Sequence, residues 1–286
     1  MKTLITEREI IKLNNTQNRM IHSGWGKEVI SHSVVEKITY ISDDLKIKGY
    51  LAYPENLSEG KKIPLVIWNR GGYLESGAID KFTARGMFGQ IASWGYAVLA
   101  SQYRGNDGGE GKEELGGRDV NDIINLINIA DGLKFIDTSG LGVEGWSRGG
   151  MMTFLMLKEE YKFKCAVLSG AISNLKAIAD SDKKSGDNYK KIIGSNDFEN
   201  KLKKRSAIYF TDLLPDIPYL IMHGGNDGII PVEQTIELAK KFSIEKKHYR
   251  LVIFEDGDHY LKNHRKEVDQ LRKFWFDKYL GLDSEK

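Results

Sequence analysis

The segment Gly145-Trp146-Ser147-Arg148-Gly149 sets a serine between two glycines in the spacing G-x-S-x-G. That spacing suits a sharp turn from a strand into a helix, which lifts the serine hydroxyl above a sheet and keeps Cβ atoms out of a crowded bend. As a bare pattern it arises often by chance, and a plain glycine-rich turn is the bland alternative. Here the neighbours meet the demand. Leu141-Gly142-Val143-Glu144-Gly145 reads as a strand entering the turn, and Met151 to Leu157 as a helix leaving it. A serine hydroxyl is a weak nucleophile until a base takes its proton and a third group orients that base. The chemistry to look for is acyl transfer by a serine, a histidine and an acid.

The chain has 6 histidines from which to choose the base. A nucleophile on a strand–turn–helix is followed in chain order by its acid and then its histidine. His22 and His32 precede Ser147 and sit in a poorly periodic region. His223 directly follows the strand Tyr219–Met222 and reads as a structural turn residue, and His248 begins a strand. His259 lies in Glu255-Asp256-Gly257-Asp258-His259-Tyr260, past the last strand and before the final helix, from where it can fold back over Ser147. His264 is its weaker competitor. The best acid is Asp227, in His223-Gly224-Gly225-Asn226-Asp227-Gly228-Ile229-Ile230-Pro231 after the strand before last. Its work would be to accept the imidazole N–H and fix the tautomer, although Asn-Asp-Gly also suits an exposed turn. Asp216, Asp256 and Asp258 compete, the last two being too near His259 to approach from its far side. A metal hydrolase built on His223 and Asp227 has little support, because no His-x-His or H-E-x-x-H spacing supplies three ligands.

These residues need elements to hold them. Val35–Ile41 and Leu45–Tyr53 alternate apolar and polar residues around Ser42-Asp43-Asp44, which predicts a β-hairpin with one wet face at the edge of a sheet. Short apolar strands then alternate with helices: strands at Pro64–Trp68, Tyr96–Ala100, Cys165–Leu168, Tyr219–Met222 and Tyr249–Phe254, with helices at Phe88–Trp94, Asp119–Ile127, Val232–Phe242 and Lys266–Tyr279. Continuous apolar strands of this kind imply a mostly parallel sheet covered on both faces. Residues 1–33 are expected to be an N-terminal extension and 34–286 the α/β domain. From Asn174 to Arg205 the chain is rich in Lys, Asp, Asn and Ser with scattered aromatic and aliphatic residues, and is expected to be either a small helical lid over the site or a solvated excursion.

The 286 residues can bury a large core, with 41% hydrophobic and 29% charged residues typical of a globular protein. The 42 basic and 40 acidic residues nearly cancel, so nothing calls for nucleic acid or an anionic membrane as a partner. One cysteine, Cys165, excludes an intrachain disulfide, and its strand context predicts a small buried hydrophobe. No secretory leader and no membrane-spanning run is read, which makes the cytoplasm the expected location.

Taken together, Gly145–Gly150, His223–Pro231 and Asp256–His259 resemble the catalytic domain of the prolyl oligopeptidase family, the S9 group of serine peptidases. Tyr103-Arg104-Gly105-Asn106-Asp107-Gly108-Gly109-Glu110-Gly111 also looks like that family's arginine-glycine loop. The likeness runs from about Ile38 to Tyr279. It implies an α/β-hydrolase fold, and Ser147, Asp227 and His259 as a triad that cleaves an ester or a short peptide without metal or cofactor. Two departures stand out. Family peptidases usually carry a β-propeller, for which this chain has no room. Where the family has an aromatic or His before a Gly-Gly pair, this chain has Trp68-Asn69-Arg70-Gly71-Gly72-Tyr73. Backbone N–H groups of Gly72 and Arg148 are expected to form the oxyanion hole. Arg70, Tyr73 and Trp146 are candidate substrate contacts, with a surface ion pair the preferred alternative for Arg70. Rival readings are a carboxylesterase for small acyl esters and a catalytically silent ligand-binding protein. The latter is disfavoured because such proteins typically lose a triad member.

Overall fold

The computed structural model describes residues 4–281. The chain opens with strand β1 (Ile5–Ile10), helix α1 (Asn15–Trp25) and the single turn α2 (Glu28–Ser31). A hairpin follows, β2 (Ser33–Ser42) and β3 (Leu45–Pro54), then β4 (Ile63–Asn69), α3 (Lys81–Ser93), β5 (Ala97–Ser101) and α4 (Asn121–Asp131). Next come β6 (Ile136–Trp146), α5 (Arg148–Met156) and β7 (Phe163–Ser169). Three short helices α6 (Leu175–Ser181), α7 (Lys183–Ile193) and α8 (Phe198–Lys203) precede β8 (Tyr219–Gly224), α9 (Glu233–Ile244), β9 (Tyr249–Phe254) and α10 (Arg265–Leu280).

All nine strands join one sheet in the order β1-β2-β3-β5-β4-β6-β7-β8-β9. The first three pair antiparallel and β3 runs antiparallel to β5, while the strands from β5 to β9 run parallel. The hairpin turns at Asp43 (φ 48°) and Asp44 (φ 63°), two consecutive left-handed residues of the kind that match the twist of a two-residue hairpin. Its expected wet face is wet only near the turn, where Lys37, Lys46 and Lys48 reach solvent, and is covered at the other end. Ile38, Tyr40 and Leu51 enter the core on one side of the sheet, and Val35, Tyr50 and Ala52 the core on the other. Nor is the hairpin the margin of the sheet, because β1 pairs outside it. Residues 5–31, expected as an extension, thus lie on the sheet and on α3. The outermost residues of the two expected segments, 1–3 and 282–286, lie outside the described part.

One core packs α4, α5 and α9 on the sheet, the other α3 and α10. Cys165 is fully buried in β7, where burial pushes its thiol up, as an inert apolar residue requires. The segment 174–205 is no solvated excursion: Leu175, Tyr189, Ile193 and Leu202 are buried in the first core. From β4 the chain passes to β5 on one side, and from β6 to β7 on the other. Such a reversal opens a crevice at the carboxyl ends of the parallel strands, where α/β sheets hold their ligands.

Candidate active site

Ser147 stands in that crevice, between β6 and α5. Its backbone is held at φ 56° and ψ −123°, a conformation that costs a non-glycine residue about 1–3 kcal/mol and persists only where the surroundings enforce it. The enforcement is visible. Ser147 N–H donates to Ser169 O at the end of β7 (2.9 Å), and Ser147 O accepts from the Gly150 and Ile172 N–H groups (2.9 and 3.1 Å). The flanking glycines admit no side chain: a Cβ on Gly149 would stand 1.9 Å from Asn69 O, and one on Gly145 2.3 Å from Gly149 O. Close backbone packing, as the spacing predicts, makes the turn.

Asp227 follows β8 and its side chain is 0% exposed. Oδ1 accepts the N–H groups of Ile229 (2.8 Å) and Ile230 (2.9 Å). Oδ2 accepts from His259 Nδ1 at 2.7 Å and faces His223 Nε2 at 3.2 Å. Burial opposes ionisation, but hydrogen bonds from both histidines and the two amides overcome it and hold the carboxyl well below the usual range. His259, itself buried, leaves Nε2 as the nitrogen not engaged by Asp227. Both ends of the pair touch the chain beyond Ser169. A Cβ built on Gly170 would lie 3.3 Å from the His259 ring and 3.4 Å from Asp227 Oδ2. The end of β7 therefore contacts Ser147 on one side and the His259–Asp227 pair on the other.

His223, read from sequence as a structural turn residue, is the last-but-one residue of β8 and fully buried. Its Nε2 faces two acceptors, Ile230 O (2.9 Å) and Asp227 Oδ2, so it must carry the proton. Its Nδ1 then accepts from the Thr235 hydroxyl at 2.6 Å. The same carboxylate oxygen thus meets two imidazoles, a relationship that the pattern His-x₃-Asp on the strand end would have allowed.

The loop after β4 carries Arg70 to Tyr73. Arg70 does not form the expected surface ion pair, because it is 1% exposed. Its guanidinium donates to Gln102 O (3.0 and 2.8 Å) and approaches Glu113 Oε2 at 3.4 Å. Arg148, one residue after the serine, is equally buried and reaches Glu113 (2.8 Å), Asp119 (2.8 Å) and Gly72 O (3.0 Å). Both guanidinium groups lie over the Tyr103 ring, Arg70 at 4.9 Å and Arg148 at 4.7 Å from its centre. Its hydroxyl donates to Arg70 O at 3.0 Å. Two arginines and two carboxylates balance in charge, which is what burial of ions demands. Burial opposes ionisation of Glu113, yet Arg148, the Leu74 N–H and Arg70 hold its carboxyl below the usual range.

The backbone N–H of Arg148 occupies the first position of α5, where no intrahelical acceptor exists. Gly72 and Ser147 line the same cavity, of about 590 Å³, with His259 and Trp146. Trp146 Nε1 donates to His259 O (3.1 Å), tying the turn to the histidine loop. Tyr73 turns elsewhere: its ring meets Tyr189 of α7 edge-on at 6.3 Å, and its hydroxyl accepts from Asn188 at 3.3 Å. The segment 174–205 lines none of this cavity. Among the described residues no cluster of three His, Cys, Asp or Glu side chains is arranged to hold a metal ion.

A mostly parallel sheet with a strained serine after β6, and an acid and a histidine at the ends of the last two strands, is an α/β-hydrolase fold. Within that class the chain belongs to the prolyl oligopeptidase family, whose model matches residues 85–283. It is 30% identical over 268 residues to the uncharacterized peptidase YuxL of Bacillus subtilis (strain 168), covering 87% of this chain and 39% of that protein. A second relative from the same organism, the uncharacterized peptidase YtmA, is 26% identical over 247 residues, covering 85% of this chain and 93% of YtmA. The fold is shared with the acylaminoacyl peptidase of Pyrococcus horikoshii, at a TM-score of 0.75 and 24% identity, over 87% of this chain and 42% of that one. This chain therefore spans about two-fifths of YuxL and of the archaeal peptidase, and nearly all of YtmA.

Proposed function

We propose that the chain is a serine hydrolase that opens an ester or peptide bond through an acyl-enzyme, with Ser147 as nucleophile, His259 as base and Asp227 as the acid that orients it. The observation that carries this reading is the 2.7 Å bond from His259 Nδ1 to a carboxylate already fixed by two amides and a second histidine. That bond commits the Nδ1 proton to Asp227, so Nε2 is the nitrogen free to take the proton of Ser147. The serine oxygen then bonds to the carbonyl carbon, and the carbonyl oxygen becomes an oxyanion. The amides of Arg148 and Gly72 are proposed to donate to it. His259 passes its proton to the departing alkoxide or amine as the bond to carbon breaks. Water repeats the sequence, ending with the free acid and the serine hydroxyl.

Membership of a peptidase family supports short peptides as substrates, and the same machinery acts more readily on esters because an alkoxide leaves more easily than an amine. A lone buried cysteine leaves no intrachain disulfide, which agrees with a cytoplasmic location. A fluorophosphonate probe tests the reading. Labelling of the wild type and none of a folded Ser147→Ala variant is the expected result, and an unlabelled wild type would sink it. Aryl esters of varied chain length run beside aminoacyl and prolyl arylamides rank the substrates.

A further inference from the structure

The cavity beside Ser147 has a wall from an unexpected part of the chain. Trp25 closes α1, in the N-terminal stretch to which the sequence assigns no chemistry and which lies outside the residues matched by the family model. Three contacts hold its indole. The ring sits on the bare face of Gly86 in α3, so close that a Cβ there would stand 2.6 Å from Trp25 Cε2. Phe82 meets it edge-on at 5.9 Å, and the Arg265 guanidinium from α10 covers it at 4.0 Å. Trp68, Met87, Trp146, Leu261 and Val268 continue the lining. The ions deeper in are spent on one another: Arg272 binds Glu144 at 2.8 and 3.0 Å and Asp269 at 2.7 Å, and Gln90 donates to Asp269 at 2.9 Å. Of the other charged lining residues, Arg265 approaches Asp269 at 3.9 Å, Lys262 approaches Asp258 at 3.6 Å and Asp80 caps α3 by accepting the Thr83 N–H. A pocket with aromatic walls, whose charged side chains each already have a partner, suits an uncharged aromatic guest.

Its direction follows from proton transfer. His259 must protonate the leaving group, so that group lies on the His259 side of the serine. The cavity is walled on that side by Tyr260, Leu261 and Lys262 of the same loop. We infer that this cavity receives the leaving group of the substrate, and that it selects an uncharged aromatic alcohol or amine through a wall contributed by Trp25. The inference rests on the hydrolase reading above and names the substrate class for that site.

Two matched ester series test it. One holds the acyl group as acetyl and varies the alcohol through ethyl, benzyl and naphthylmethyl; the other holds ethanol and varies the acid through acetic, phenylacetic and naphthylacetic. The wild type should favour benzyl over ethyl acetate in kcat/KM by about ten-fold or more, a discrimination of the size that apolar pockets provide. Trp25→Ala should pull that ratio toward one. Thr83→Trp, which fills the cavity from α3, should do the same by a different route and covers the case in which loss of Trp25 disturbs folding. An aromatic preference confined to the acid series overturns the inference, as does a benzyl-to-ethyl ratio that neither variant changes. Fluorophosphonate labelling of each protein separates the two failures. A labelled enzyme with no leaving-group preference refutes the cavity assignment alone, whereas an unlabelled one refutes the hydrolase reading on which it stands.

Discussion

Arg148 Nη1 donates to the carbonyl oxygen of Gly72 across 3.0 Å, linking the residue after Ser147 to the loop that faces it. The bond joins two elements that are far apart in sequence but must stay in register if their amides are to meet one oxyanion. The guanidinium is itself fixed by Glu113 and Asp119 and stacked on Tyr103, so the loop is braced against the turn by a rigid group.

Replacing that brace with a point charge is the direct test. Arg148→Lys keeps the positive charge but cannot reach Glu113, Asp119 and Gly72 O together. Turnover should fall by about ten- to a hundred-fold, the range expected when reacting groups shift by an ångström or less, with KM moving much less. Stopped-flow measurement of acylation on an activated ester reads it, and unaltered acylation would remove Arg148 from the positioning role.

Asp227→Asn should still fold, with a lowered melting temperature because the buried carboxylate's bonds to two histidines and two amides are weakened, while kcat falls by about four orders of magnitude, because the amide favours the wrong histidine tautomer. Near-wild-type turnover would transfer the acid role to another carboxylate.

Stability should respond to acid through Glu113. Its folded carboxyl ionises below the ordinary 4.5, so the unfolded chain binds the proton more tightly than the native one. The stabilisation is fully present above that ordinary value and is lost as pH falls through the depressed one. Glu113→Gln should cost about 3–5 kcal/mol at neutral pH by leaving Arg148 short of a partner. The gap to the wild type should then narrow in melting curves taken progressively below pH 4.5. A gap that stays constant down to the acid-unfolding limit contradicts this account.

Removal of residues 174–205 should destroy folding rather than merely alter substrate preference, since Leu175, Tyr189, Ile193 and Leu202 fill one core. At about 2–5 kcal/mol for each large buried side chain, their loss together is comparable to the whole stability of an ordinary domain, about 5–15 kcal/mol. Circular dichroism of the shortened chain decides it; a cooperative thermal transition near that of the wild type would restore the lid reading.

Much of the candidate site's geometry was legible because its signals are local or ordered. The G-x-S-x-G turn states its own backbone demand, and the order serine, acid, histidine selects Asp227 and His259 from many carboxylates and six imidazoles. Arg70 was misread for a physical reason. An arginine in a loop is by default a surface cation, and beside the local Gly71 and Leu74 carbonyls it takes the distant Glu113, Gln102 O and Tyr103 to make its burial tolerable. Strand β1 was missed because Glu7, Arg8 and Glu9 show no apolar alternation. It is held to β2 by backbone pairing and by Arg8 on Glu36, which leave no periodic signal. Trp25 had no neighbour in sequence to mark it, since its seat on Gly86 lies some sixty residues away.

That seat has a consequence for how such an enzyme diversifies. The elements that fix Ser147, Asp227 and His259 are strand ends locked into the sheet, and under the proposed mechanism changes there would damage turnover before altering choice of substrate. The indole on Gly86 belongs to a helix packed on α3, so on the inferred role of Trp25 substitutions along residues 15–25 would reshape what is accepted while Ser147, Asp227 and His259 keep their places. On that inference, selectivity and reactivity would reside on separately mutable parts of one chain.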